Sequence, residues 1–257
     1  IRFIRISNKF KLQIRLIFLL INEYSNNSML LKNITDVFFD LDHTLWDFDK
    51  NSEMAFDAIF KKNHPDVDTT LFIEKYIPIN QACWKLYQND QISHNQLRYD
   101  RLKLSFDALG YAISDAAIHQ MAIDYIELLP ENNFLFEGTI DILEYLHKKY
   151  TLHIITNGFA AVQDKKVRNS NLEIYFKTIT NSEMAGVKKP NPIIFEHALE
   201  MANTKKEQSV MIGDCLDADV KGAINAGLTA IFFNPNQVPV APEIKQVKHL
   251  LELQNFL

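Results

Sequence analysis

Short apolar runs alternate with longer stretches of helical spacing along most of the chain. Asp36-Val-Phe-Phe39, Leu152-His-Ile-Ile155, Val210-Met-Ile212 and Thr229-Ala-Ile-Phe-Phe233 have the length and the β-branched or aromatic content of strands buried on both faces. Ile140, Leu143 and Leu146 before the second run, and Ile194, Ala198 and Met201 before the third, fall at the spacing of amphipathic helices. Strands separated by helices require crossover connections, so the pattern predicts a parallel sheet in a doubly wound, Rossmann-like α/β core. In such sheets ligands gather beyond the carboxyl ends of the strands.

Over 47–130 the strand signal disappears and helical spacing takes over. Ser114 is a fitting N-cap for a helix presenting Ile118, Met121, Ala122, Tyr125 and Leu129 on one face, and Leu102, Phe106 and Leu109 precede Gly110 as a stop. The expected organisation is a core formed by 29–46 and 131–257, interrupted by a helical-bundle cap over 47–130. Residues 1–28 differ, with Arg2, Arg5, Lys9, Lys11 and Arg15 set against Glu23 alone. Their apolar run, Leu16–Ile21, falls well short of the roughly 20 residues a membrane span requires. No small-residue cleavage site follows it, which disfavours a signal peptide. With Met29 just ahead of the first strand, the segment reads as a poorly ordered or non-native extension outside the fold.

Composition narrows the function classes. The 257 residues are 47 % hydrophobic and 23 % charged with only 7 Gly and 8 Pro, which excludes a disordered or collagen-like chain. Against 27 Lys+Arg stand 32 Asp+Glu, a net charge of −5, and no long basic run exists, so polymeric nucleic acid is not an expected partner. Cys83 and Cys215 lie far apart with no metal-type spacing. Neither a disulfide framework nor a zinc site is expected, and a reducing, cytoplasmic setting fits best.

The candidate chemistry sits just after the predicted strands. The first ends in Asp40-Leu-Asp42-His-Thr44, the second in Thr156-Asn157-Gly158, and the third in Gly213-Asp214-Cys-Leu-Asp217-Ala-Asp219; Lys188-Lys189-Pro190 lies in a Pro-bounded loop between the second and third. Singly, these are turn acids, an N-cap and a solvated loop charge. Together, on one sheet edge, the acids could hold a hard divalent cation through oxygen ligands, with a substrate phosphate completing the shell. Thr156, Asn157 and a lysine could then bind the phosphoryl group where charge develops in the transition state.

Asp40-x-Asp42-x-Thr44, Thr156, Lys189-Pro190 and Gly213-Asp214-x-x-x-x-Asp219 resemble, in order, the four motifs of the haloacid-dehalogenase-like hydrolase superfamily. The long interval between the first and second motifs leaves room for a helical cap, as in that group. The resemblance implies Asp40 as nucleophile, forming an aspartyl phosphate, and Asp42 as general acid and base. It implies Mg²⁺ held by the Asp40 carboxylate, the Asp42 carbonyl and Asp214, with Asp219 supporting that shell; Mn²⁺ or Co²⁺ could serve in vitro. Thr156 and Lys189 would hold the phosphoryl group. An acid at Asp42 argues against haloacid dehalogenation.

Phe39–Phe48, Ile155–Phe159, Ser182–Val187 and Cys83–Asn89 look most like the bacterial pyrimidine 5′-nucleotidases, which implies UMP, dUMP and dTMP as substrates. His43 and Cys215 depart from that pattern without removing a catalytic group. Trp46, Trp84, Tyr87 and Phe159 are candidates to stack on the base. The expected protein is therefore a small-molecule phosphate monoesterase with no membrane partner. A phosphatase or phosphomutase acting on a sugar phosphate or phosphoglycolate is the enzymatic alternative. The non-enzymatic alternative is a metal- and phosphate-binding regulator.

Overall fold

A computed structural model describes residues 30–257; the extension read over 1–28 lies outside them. Six parallel strands form one sheet in the order β3-β2-β1-β4-β5-β6. They are β1 (Asp36–Phe39), β2 (Thr151–Thr156), β3 (Phe176–Asn181), β4 (Ser209–Gly213), β5 (Thr229–Phe233) and β6 (Gln246–Val247). Alternation along the strands divides the core in two. Val37, Phe39, Ile154, Ile212 and Phe233 face one layer, and Phe38, Ile155, Met211 and Phe232 face the other. Helices cover both faces, which is why the central strands are apolar throughout.

Four of the strands are those the apolar runs predict. β3 and β6 are additional, and both are weakly apolar: Lys177 and Gln246 are exposed and β6 has only two residues. At the amino end of the sheet, fully buried His153 joins β1 to β3, with Nε2 3.0 Å from Asp36 and Nδ1 2.8 Å from Thr178.

Between β1 and β2 the chain leaves the sheet as four helices: α1 (Phe48–Asn63), α2 (Thr69–Gln88), α3 (His94–Leu109) and α4 (Asp115–Leu128). Each begins at a side-chain cap, from Asp47, Asp68, Ser93 and Ser114; Ser93 and Gln96 form a reciprocal capping box, and Gly110 ends α3 at φ +67°. The helices pack through an aromatic core in which Phe56 stacks on Tyr125 at 4.4 Å and meets Phe72 and Tyr76 at 4.8 Å. The architecture is a Rossmann-like core carrying a helical cap.

The two crossings between cap and core are strapped together. Asp47 N–H donates to the Phe134 carbonyl (3.0 Å), Phe136 N–H to that of Leu45 (3.0 Å), and buried Asn51 binds both Phe134 backbone groups at 2.9 Å. The remaining helices are α5 (Thr139–His147), α6 (Ala160–Asn169), α7 (Ser182–Ala185), α8 (Pro192–Ala202) and α9 (Gly222–Ala226), the last preceded by a π-helical turn over Leu216–Lys221. Two helical phases differ from the sequence reading. Ile142 rather than Ile140 turns inward on α5, and Ala202 rather than Met201 on α8, because the full apolar stripe rather than the first few residues decides the buried face. Among the described residues no helix is long and apolar enough to cross a membrane.

Candidate active site

The carboxyl end of β1 fixes Asp40, whose N–H donates to the Ile212 carbonyl of β4 at 2.9 Å. A tight loop follows: the Leu41 carbonyl accepts from Leu45 (3.0 Å) and Trp46 (2.9 Å), and His43 at φ +61° donates its N–H to Trp46 at 2.9 Å. His43 therefore serves the loop through its backbone, while its ring packs 5.0 Å from Phe48. β4 ends at Gly213, where a Cβ would stand 2.3 Å from a carboxylate oxygen of Asp219; glycine is what lets that side chain lie across the strand end. Thr44 and Asp214 tie the two loops together, the Asp214 N–H donating to the Thr44 hydroxyl (3.0 Å) and that hydroxyl to the Asp214 carboxylate (3.1 Å).

These constraints place carboxylate oxygens of Asp40, Asp214 and Asp219 all within 4.8 Å of one another. Lys189, 2 % exposed, reaches in with its Nζ 2.6 Å from Asp40, 2.6 Å from Asp219 and 2.7 Å from the Ile155 carbonyl. Burial alone would depress the lysine, but Asp219 and Asp40 outweigh it and hold the ammonium above its ordinary range. Burial drives the Asp40 carboxyl well above the carboxylate range against the pull of Lys189, with Asp219 and Asp214 adding to the rise. Burial and Asp219 push Asp214 up to about 8, against the Thr44 hydrogen bond. One lysine leaves three aspartates with excess negative charge in a donor set of oxygens only, which fits a hard cation such as Mg²⁺.

Asp42 lies beside this group, with one oxygen 2.8 Å from Gln163 Nε2 and the other 2.5 Å from Lys166 Nζ. Lys166 is 2 % exposed and its ammonium stands 4.2 Å above the Trp46 ring. Gln163 Nε2 also reaches the Thr156 hydroxyl at 2.8 Å, and Gly158 N–H donates to the same oxygen at 3.0 Å. With both donors on its lone pairs, Thr156 retains its own proton to give. The sequence reading omits Gln163 and Lys166. Their signal is positional: with Val167 they form the buried stripe of α6, a place where a lysine and a glutamine are out of character.

The Asn157 side-chain amide is committed to the Lys189 backbone in both directions (2.9 and 2.7 Å), so what the side chain positions is Lys189. Trp46, expected to face substrate, has no exposed surface and lies beneath Lys166. By contrast, half-buried Trp84, Tyr87 and Phe159 converge where cap meets core, with ring centroids 5.7–5.9 Å apart, and His94 packs 3.9 Å from Phe159. Cys215 takes the capping place often held by a hydroxyl, its Sγ accepting from Ala218 N–H at 3.4 Å; burial pushes the thiol up to about 12.

The profile of the haloacid dehalogenase-like hydrolases matches residues 36–227. The chain belongs to that family. The haloacid dehalogenase-like chain is 28 % identical to the Bacillus subtilis HAD protein YfnB over 88 % of its own length and 98 % of the relative's. The magnesium-bound crystal structure of that protein, described as revealing interdomain movement, superposes with a TM-score of 0.77 at 28 % identity, covering 86 % of this chain and 97 % of the other. The pyrimidine 5′-nucleotidase YjjG of Escherichia coli is 32 % identical over 77 % of this chain and 85 % of its own. The glyceraldehyde 3-phosphate phosphatase of Pyrococcus furiosus is 29 % identical over 88 % and 96 %. Similarity is thus spread over several branches of the family rather than concentrated on the nucleotidases. The family fold with its aspartate cluster is that of a phosphoric monoester hydrolase.

Proposed function

We propose that the protein is a Mg²⁺-dependent phosphatase that hydrolyses nucleoside 5′-monophosphates, with pyrimidine nucleotides preferred. The observation that carries the substrate class is the half-buried cluster of Trp84, Tyr87, His94 and Phe159 beside Thr156-Asn157-Gly158, which offers ring faces to a base whose phosphate lies on the aspartates. The likeness to a pyrimidine 5′-nucleotidase supports the same reading.

In this proposal Asp40 attacks phosphorus with one carboxylate oxygen while Lys189 holds the other, giving an aspartyl phosphate that water then hydrolyses. Asp42 protonates the leaving oxygen and then takes the proton of the attacking water, and Gln163 and Lys166 fix its carboxylate for both steps. Thr156 donates its proton to a non-bridging phosphoryl oxygen. Mg²⁺, held by the Asp40 carboxylate, the Asp42 carbonyl and Asp214 with Asp219 behind them, would supply charge neutralisation at the phosphoryl group.

The test is phosphate release from UMP, dUMP, dTMP, AMP, glyceraldehyde 3-phosphate and phosphoglycolate, with Mg²⁺ and again with EDTA. Metal-dependent release favouring the pyrimidine nucleotides is expected. Preference for glyceraldehyde 3-phosphate, which likeness to the archaeal phosphatase would favour, would keep the chemistry and remove the nucleotide assignment. Silence on every substrate would transfer the site to a mutase or a non-catalytic binder.

A further inference from the structure

The cap buries a cation that the chemistry above does not use. Arg101 on α3 is 3 % exposed, yet among the described residues no carboxylate lies within 4.0 Å of its guanidinium. The other buried cations, Lys166 and Lys189, are each paired with aspartate. Among the described residues one hydrogen bond reaches the guanidinium, from Nη1 to Asn80 Oδ1 at a long 3.4 Å, and the Tyr125 ring lies 4.9 Å from its centre. Nε and Nη2 have no partner among those residues. Those two nitrogens form one edge of the guanidinium plane, the edge that takes two acceptor atoms side by side. A buried charge with such an edge unpartnered is costly unless something completes it, and a ring face satisfies none of the N–H groups.

The helices show where that edge lies relative to the reaction. His94, Arg98 and Arg101 follow one another along one side of α3, and Asn80, Trp84 and Tyr87 do so along α2. Two facing stripes thus run from the aromatic cluster at His94 and Phe159 to Asn80 and Arg101 about 10 Å deeper, at 1.5 Å per helical residue. Arg98 donates from Nη2 to the Ala122 carbonyl of α4 at 3.0 Å and, among the described residues, leaves its Nε unpartnered. Tyr125, whose ring lies under Arg101, shares a 2.7 Å hydrogen bond with Ser52 on α1, one turn from Phe48, whose ring lies 5.0 Å from the Lys166 ammonium that grips Asp42. Arg101 is thus linked through Tyr125 and α1 to the side of the site where Asp42 would protonate a leaving group.

We propose that the Nε and Nη2 edge of Arg101 is the specificity-determining contact for the leaving group, donating to an oxygen acceptor such as one carbonyl oxygen of a pyrimidine or a carboxylate. This deepens the phosphatase reading and rests on it, since it places the leaving group between α2 and α3. A substrate without such oxygens leaves the edge empty and gains nothing from it.

The experiment compares UMP and phosphoglycolate with phenyl phosphate, which carries no such acceptor, in the wild type, Arg101→Gln and Arg101→Lys. The readout is the ratio of kcat/KM on the acceptor-bearing ester to that on phenyl phosphate. A site built to hydrogen-bond its substrate discriminates strongly, and the ratio is expected to fall by roughly 100-fold in both variants, carried mostly by KM. Asn80→Asp, which places a carboxylate on Arg101 with almost no change in size, is expected to lower the same ratio and keeps the test decisive if Arg101→Gln fails to fold. An unchanged ratio in Arg101→Lys and Asn80→Asp overturns the assignment. If the wild type prefers phosphoglycolate to UMP, the nucleotide reading fails while a selective loss on phosphoglycolate upholds Arg101.

Discussion

Replacing Lys189 by methionine tests the electrostatic logic of the site most directly. Among the described residues the ammonium is the one cation within hydrogen-bond reach of both Asp40 and Asp219, at 2.6 Å each. Methionine keeps much of the volume and removes the charge. Breaking a buried ion pair from one side costs about 3–5 kcal/mol. Protonation of a stranded carboxylate limits the loss, so ~3 kcal/mol is the working figure, a Tm lowered by roughly 6–12 °C for a chain of this size.

The pH dependence has a definite sign. Asp40, already raised by burial, loses the charge that lowers it, while in the unfolded chain it titrates near ~3.9. Above about pH 4 the folded variant binds more protons than the unfolded one, so its stability falls as pH rises. Below that Asp40 is neutral in both states and the deficit shrinks. Calorimetry on wild type, Lys189→Met, Asp219→Asn and the double variant in EDTA, from pH 5 to pH 8, measures this. Asp219→Asn should restore part of the loss, because it removes one of the two stranded charges. A single variant within ~2 °C of wild type at pH 7.5, or a double variant no better than the single, would refute the reasoning.

Two further outcomes follow from the same geometry. Asp40→Asn should lower kcat at least ~100-fold, a barrier increase of about 3 kcal/mol, with the fold kept because Lys189 retains Asp219; phosphate-release kinetics with a melting curve check it, and near-normal turnover would remove Asp40 as nucleophile. Asp214, raised to about 8 against ~3.9 in the unfolded chain, makes the metal-free protein lose stability as pH rises between about 4 and 8. Excess Mg²⁺ competes with that proton, so the gain in Tm over EDTA should be larger at pH 8 than at pH 6, and a gain that is absent or independent of pH would separate Asp214 from the metal.

The parts of the molecule that the sequence shows clearly are those in which one physical demand dominates. Central strands buried on both faces must be apolar throughout, so β1, β2, β4 and β5 announce themselves, and Ser114 and Gly110 mark helix ends by backbone chemistry alone. β3 answers to two demands, a half-exposed edge and a buried carboxyl end, and its Phe-Lys-Thr-Ile-Thr-Asn reads as neither. At the site, Asp40, Asp42, Asp214 and Asp219 stand out because acids just after apolar runs break the pattern. Asn157 and Trp46 fit a plausible chemistry in one dimension, but only the fold shows that the amide is committed to a backbone and the indole is fully buried.

Gln163, Lys166 and Arg101 carry a different lesson. Each sits on the buried stripe of its helix, beside Val167 on α6 or Leu97, Leu102 and Phe106 on α3, where an apolar residue would stabilise the packing. A cation there costs stability unless a partner compensates it, so the partner is the quantity to look for. For Lys166 it is Asp42, and the pair fixes the proposed acid and base. For Arg101 no described residue supplies one. The same reasoning that explains Lys166 from inside the protein therefore points, at Arg101, to a partner that arrives with the substrate.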